Sequence, residues 1–141
     1  MRPGSMDFLK SIAIAASGLR AQSGRMRVIA ENIANADSTA ATPGGEPYRR
    51  KIATFKSEID KALEAPVVAL GPVRTDPSEF RTKHEPGHPN ADQNGNVKYP
   101  NVNGLVEMTD MREAQRSYEA NINVISASRR MIQRTIEILK S

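Results

Sequence analysis

A chain of 141 residues, 38% apolar and only 4% aromatic, with no Trp, has the length of about one domain. It leaves its core to Ala, Ile, Val and Met, which bury less area per residue than aromatic anchors do. The lack of Cys excludes a disulfide framework and thiol chemistry, and no run approaches the roughly 18 apolar residues of a membrane span. The net charge of +4 comes from 20 basic and 16 acidic residues, with no basic block longer than Arg49-Arg50-Lys51. That is too dispersed for the concentrated positive face that nucleic acid requires.

Residues 1–5, Met1-Arg2-Pro3-Gly4-Ser5, precede a second methionine, Met6, and read as an expression scar outside the fold. From there Phe8, Ile12, Ala15, Leu19, Gln22, Met26, Ile29 and Ile33 recur at alternating steps of four and three. This is a heptad seam and predicts a helix over residues 6–36. Asp7 stands where an N-cap would, and Asn35 to Ser38 mark the exit. The apolar run Ile12-Ala13-Ile14-Ala15-Ala16 reads as part of this helix rather than as a signal-peptide core, because the periodicity carries on to Ile33. Gly18 and Gly24 each cost about 1 kcal/mol against Ala in an exposed helix interior, so the helix is marginal alone. Against another helix, each buried Leu, Ile or Met returns roughly 1.5–3 kcal/mol.

Residues 37–104 read as a loop and a small β-rich insert. Pro43, Gly44, Gly45 and Pro47 rule out a regular element over 37–47. Tyr48 to Phe55 resembles a short strand. Lys56 to Leu63 fits either a helical turn or a second extended segment. Val67 to Thr75 is β-rich and interrupted at Gly71-Pro72. Residues 76–96 are dense in Pro, Gly, Asn and Asp and end in the turn-like pair Asn94-Gly95, and Val97 to Tyr99 is a last short strand.

Residues 105–141 contain no Pro or Gly. Met111, Ala114, Tyr118, Ile122, Ile125, Ile132, Ile136 and Leu139 recur at helical spacing and put one stripe on one side of a single helix. From Glu107 to Lys140 such a helix is about 50 Å long, more than a compact domain of this size covers. The expected fold is therefore α+β: long N- and C-terminal helices forming a coiled-coil-like pair, with a small β-rich insert between them.

No residue set points to catalysis or to a cofactor. His84-Glu85-Pro86-Gly87-His88 has the letters of a zinc-protease helix, but Pro86 and Gly87 oppose the helix that this chemistry needs, and no further His or Cys is present to complete the ligands. Asp92-Gln93-Asn94-Gly95-Asn96 begins like a calcium loop, yet Val97 and Asn103 occupy the positions that demand Gly and Glu. Both read as polar turns. Gly44-Gly45 lacks the Lys-Ser/Thr of a phosphate loop.

Several long words in order carry a family resemblance. Ser17-Gly18-Leu19-Arg20-Ala21-Gln22 and Arg25-Met26-Arg27-Val28-Ile29-Ala30-Glu31-Asn32-Ile33-Ala34-Asn35-Ala36 resemble the N-terminal signature of bacterial flagellar rod and hook axial proteins. Gly44-Gly45-Glu46-Pro47-Tyr48-Arg49-Arg50-Lys51, Pro86-Gly87-His88-Pro89-Asn90-Ala91-Asp92 and Tyr99-Pro100-Asn101-Val102-Asn103 resemble the proximal-rod proteins of the FlgC type. So do Glu107-Met108, Asp110-Met111 and Tyr118-Glu119-Ala120-Asn121. Asn96 departs from the pattern, standing where those proteins often carry an aromatic.

The resemblance covers residues 6–141. It implies a structural subunit, not an enzyme, exported through the flagellar type III apparatus without signal cleavage and assembled in the periplasm into the helical, torque-transmitting rod. Implied partners are copies of itself, the other proximal- and distal-rod proteins and the rod–ring adaptor, with no nucleic acid and no direct membrane insertion. The terminal helices would form the assembly interface, through Leu19, Met26, Ile29 and Ile33 on the first and Met111, Tyr118, Ile122, Ile125, Ile132, Ile136 and Leu139 on the second. The competing class is a soluble coiled-coil adaptor or export chaperone that binds helical partners.

Overall fold

A computed structural model describes residues 3–140; Met1 and Arg2 of the expected scar, and Ser141, lie outside the described residues. Two long helices, α1 (Pro3–Ala34) and α2 (Gly104–Lys140), pack together and flank six strands: β1 (Lys51–Ile52), β2 (Phe55–Asp60), β3 (Ala65–Leu70), β4 (Arg74–Thr75), β5 (Arg81–His84) and β6 (Asn96–Tyr99). The strands pair as three two-stranded antiparallel ladders, β1 with β4, β2 with β3 and β5 with β6. The fold is the expected α+β arrangement.

The start of α1 corrects the expectation for Asp7. The helix begins at Pro3 and Asp7 lies inside it. Proline suits a first helical position, where its missing N–H has no partner to lose and its φ is already set. The exit falls where expected: the Asn35 amide and side chain both donate to the Glu31 carbonyl, and Ser38 closes back on Asn35. At the start of α2 the Asn103 side chain caps the helix, accepting from the amides of Leu105 and Val106 at 3.0 and 3.4 Å.

The chain forms two compact units. One combines α1 up to Met26, the β2–β3 hairpin segment Thr54–Pro72 and α2 from Glu113 onward. Its buried side chains are small: Ala15, Ser17, Ala21, Ala65, Ala114 and Ser128. Ser17 donates to the Ile14 carbonyl and accepts from the Val68 amide at 3.1 Å, which ties the hairpin to the helix. Of the two structures that Lys56 to Leu63 left open, the chain takes the extended one as far as Asp60. Asp60 then accepts from the amides of Ala62 and Leu63 to form the turn.

Gly18 and Gly24 of α1 are contact points. A Cβ on Gly18 would lie 2.5 Å from Nδ2 of Asn121 on α2, and one on Gly24 would lie 2.8 Å from a methyl of Leu70 on β3. The propensity lost at these positions is exchanged for close approach of a neighbouring element.

The second unit takes Arg27–Ala53 and Val73–Arg112. Its core gathers Val28, Ile29, Val97, Tyr99 and Val102 around two buried polar residues, Asn32 and Glu107. The strand β5 lies within residues 76–96, the stretch dense in Pro, Gly, Asn and Asp; its residues Arg-Thr-Lys-His are all exposed, so no apolar alternation signals it. The segment from Glu85 to Gly95 joins it to β6. There Asp92 accepts from the amides of Asn94 and Asn96, both at 2.9 Å, and Gly95 takes a φ of 78°. His84 contacts Asn96, and His88 accepts from the Asn90 amide, so the His84–His88 stretch is the end of a strand and a turn.

Replacing Gly18 with Leu should destabilise the protein by about 1–3 kcal/mol, as overpacking of a close contact does. Gly104→Ala, where no atom lies within 4 Å of the added carbon, should change stability little. Urea unfolding midpoints of the two variants check this.

Candidate functional site: a buried polar junction and an exposed helical stripe

The most deeply buried large side chain of the second unit is a carboxylate. Glu107, in the first turn of α2, is 0% exposed, and Asn32, in the last turn of α1, is 1% exposed. A buried charge is tolerated only when paired and hydrogen-bonded. Here Nε of Arg50 donates to Oε1 of Glu107, while Nδ2 of Asn32 donates to Oε2 at 3.3 Å. The helix N-terminus adds a favourable field for the anion.

Asn32 uses its whole amide. Nδ2 also donates to the Lys51 carbonyl at 2.8 Å, and Oδ1 accepts from the Lys51 amide at 2.9 Å and the Tyr48 hydroxyl at 2.6 Å. The segment Tyr48–Lys51 is thereby held against the end of α1. Of the expected Tyr48–Phe55 strand, Lys51–Ile52 pairs with β4 and Phe55 opens β2, while the Arg50 amide is taken by Oδ1 of Asn101 at 2.7 Å and the Lys51 amide by Asn32. Lys51 also pairs with Glu31 at 2.6 Å.

Arg50 spreads its guanidinium over three anions, adding Asp76 at 3.3 Å and Asp110 at 3.6 Å to Glu107. Burial opposes its charge, but Glu107 and then Asp76 outweigh that and hold the guanidinium above its ordinary range. The amide and hydroxyl of Ser78, with Arg50, hold the Asp76 carboxyl below the usual carboxylate range against partial burial. Asn101 and Arg49 both donate to the carbonyls of Asp76 and Ser78, and Arg49 stacks on Phe80 at 4.2 Å. Burial, with Glu31 and Glu107 adding to it, pushes the Tyr48 hydroxyl up to about 12.

This cluster is a joint between segments: its groups are hydrogen-bonded and ion-paired to one another. Sequence periodicity missed it, because a hydropathy stripe ignores a buried Asn and Glu. The family words did carry it: Asn32, Tyr48 to Lys51, Asn101, Glu107 and Asp110 all lie within the stretches on which the resemblance rests, and the fold brings them together.

The residues expected to form the assembly interface divide by exposure. On α1, Ile29 is buried, Leu19 and Met26 are half-buried, and Ile33 is exposed; on α2, Met111, Tyr118, Ile125 and Ile132 are half-buried, and Ile122, Ile136 and Leu139 are exposed. The side chains of α2 set deepest against the fold are instead Glu107, Ala114 and Ser128, with Asn121 half-buried between them, at steps of seven. Small and polar residues make the helix contact, and much of the apolar stripe stays in water. Met131 at 54%, Ile136 at 46% and Leu139 at 79% exposure extend it along the end of α2.

The family profile of flagella basal body rod proteins matches residues 12–41, and that of the flagellar basal body rod FlgEFG protein C-terminal region matches residues 93–138. Terminal helices that pack together, each overlapping a rod-family match over most of its length, define a structural protein of the bacterial flagellar axis. Relatives at full length narrow this. The flagellar basal-body rod protein FlgC of Agrobacterium fabrum is 52% identical over 137 residues, covering 96% of this chain and 99% of the relative. Those of Salmonella typhimurium and Aquifex aeolicus are 39% and 38% identical, each covering at least 94% of this chain and 98% of the relative. The chain belongs to the FlgC family of flagellar basal-body rod proteins. It is a structural rod subunit of the basal body, and these relatives favour that reading over the adaptor or chaperone.

Tyr48 offers a direct check on the junction. Its neutral hydroxyl is the form that donates to Asn32, and its folded pKa lies above the ordinary value of about 10. Its contribution is therefore fully present below about pH 10 and is lost as pH rises toward 12. Tyr48→Phe should cost about 1 kcal/mol at neutral pH and flatten the alkaline fall in stability, both read from denaturant titrations across pH.

Proposed function

We propose that the chain is built into the proximal part of the helical, torque-transmitting rod through its two terminal helices, as a non-catalytic subunit. The supporting observation is the stripe along α2. One chain leaves Ile122, Ile136 and Leu139 of the stripe, and Met131 beside it, in water, and exposed apolar surface of this kind marks an interaction site. Contacts between unlike surfaces that repeat without closing generate helical tubes, which is the geometry a rod requires.

The neighbours under this reading are other proximal- and distal-rod proteins, the rod–ring adaptor and copies of the same chain. The flagellar type III apparatus delivers the subunit to the periplasmic rod without a cleaved signal peptide. The interface comprises Leu19, Met26, Ile29 and Ile33 together with Met111, Tyr118, Ile122, Ile125, Ile132, Ile136 and Leu139. An N-terminal helix with two interior glycines and a core of Ala and Ser also suits a subunit that must travel unfolded, since little packing has to be undone.

Ile136→Asp and Leu139→Asp test the interface without disturbing the fold. Both sites are exposed, so stability should stay within about 0.5 kcal/mol of the parent, while swimming of a complemented deletion strain should be abolished and the protein should be missing from purified basal bodies. The half-buried companions Leu19→Asp and Ile132→Asp should likewise abolish assembly. Normal swimming from all four variants would remove the interface assignment.

A further inference from the structure

The last three turns of α2 carry a second pattern beside the apolar stripe. At about 100° per residue, Arg129, Arg130, Arg134 and Lys140 fall within one sector roughly 140° wide, and the apolar residues from Met131 to Leu139 fall within the opposite sector, roughly 160° wide. Glu137 is the only anion in this stretch, leaving residues 129–140 with a net charge of +3. All four cations are exposed, and among the described residues none of them forms an ion pair.

Neither helix of a second copy supplies a matching set of anions. Within Pro3–Ala34, Lys10, Arg20, Arg25 and Arg27 outnumber Asp7 and Glu31. In the first half of α2, Glu107, Asp110 and Glu113 are already paired with Arg50 and Arg25, which leaves Glu119 as one carboxylate against four cations. An anionic lipid surface does complement the pattern. An amphipathic helix lying in the interface places its apolar sector at the boundary between headgroups and acyl chains, and long Arg and Lys side chains extend from the opposite sector to the phosphates. No described helix is long and apolar enough to cross a membrane, so the contact is peripheral.

We propose that the free subunit, before it is built into the rod, docks on the surface of an anionic bilayer through residues 129–140 of α2. Docking and assembly use the same exposed side chains, so lipid holds the stripe only until protein neighbours replace it. The lipid contact stands on the charge and exposure of the helix end alone, and does not depend on which rod proteins those neighbours are.

Sedimentation of the full chain with phosphatidylcholine vesicles, with and without phosphatidylglycerol, tests this. The protein should pellet with the anionic vesicles, at least about tenfold more than with neutral ones, and high salt should release it. The triple variant Arg129→Gln, Arg130→Gln, Arg134→Gln should lower binding at least about tenfold while keeping the circular dichroism of the parent. Leu139→Gln should lower it as well, which a purely ionic attraction would not show. Equal pelleting with neutral vesicles, or undiminished binding by the triple variant, would overturn the proposal. So would pelleting without vesicles, which would give the stripe to a second copy of the chain.

Discussion

The structure turns on one carboxylate taken out of water. Glu107 is fully buried at the start of α2, and burying an ionised carboxylate is prohibitive unless its oxygens are matched by donors. Arg50 supplies one match and Asn32 the other. Those two residues sit on different segments, the crossing chain and the end of α1, so a single electrostatic demand fixes three parts of the sequence together. Asn32 then spends its remaining capacity on Lys51 and Tyr48, and Arg50 passes the constraint on to Asp76 and Asp110. Polar junctions of this kind are demanding: fully satisfied they specify one arrangement, and missing a partner they leave a buried group exposed to its full desolvation cost.

Elsewhere the helices are joined more lightly. Ala15, Ser17, Ala21, Ala114 and Ser128 bury little apolar area each, and Gly18 lies directly against Asn121. Small residues permit a close approach without using up the large apolar side chains, which remain available for other contacts. The division suits a rod subunit. A specific polar joint sets the fold of the single chain, and the apolar surface left over is what neighbours can bury.

Much of this was legible in the sequence, but unevenly. The two helices, their approximate ends and the β-rich insert follow from periodicity and from Pro and Gly. The apolar stripe of α2 reads correctly as too long for one chain to cover. The inner face of α1 does not read as well: a heptad weighted by hydrophobicity favours Leu19 and Met26, whereas Ser17, Ala21 and Asn32 are buried more deeply. Hydropathy cannot distinguish a polar residue facing solvent from one satisfied by a distant Arg or Tyr, because the partner lies 16 or more residues away in sequence. The strand β5 fails for the opposite reason, since Arg81 to His84 are all exposed and carry no alternation. The joint was visible only through the family words in which its residues occur.

The central claim, that Glu107 and Arg50 form the coupled core of the joint, is tested most directly by a double-mutant cycle on unfolding free energy with Arg50→Met and Glu107→Met. Arg50→Met strands the buried Glu107 and should cost roughly 3 kcal/mol, while Glu107→Met leaves Arg50 to Asp76 and Asp110 and should cost less. The double variant removes both charges together and should lose at least about 1.5 kcal/mol less than the sum of the singles. Additivity within about 0.5 kcal/mol would contradict the claim and leave the two residues as independent neighbours.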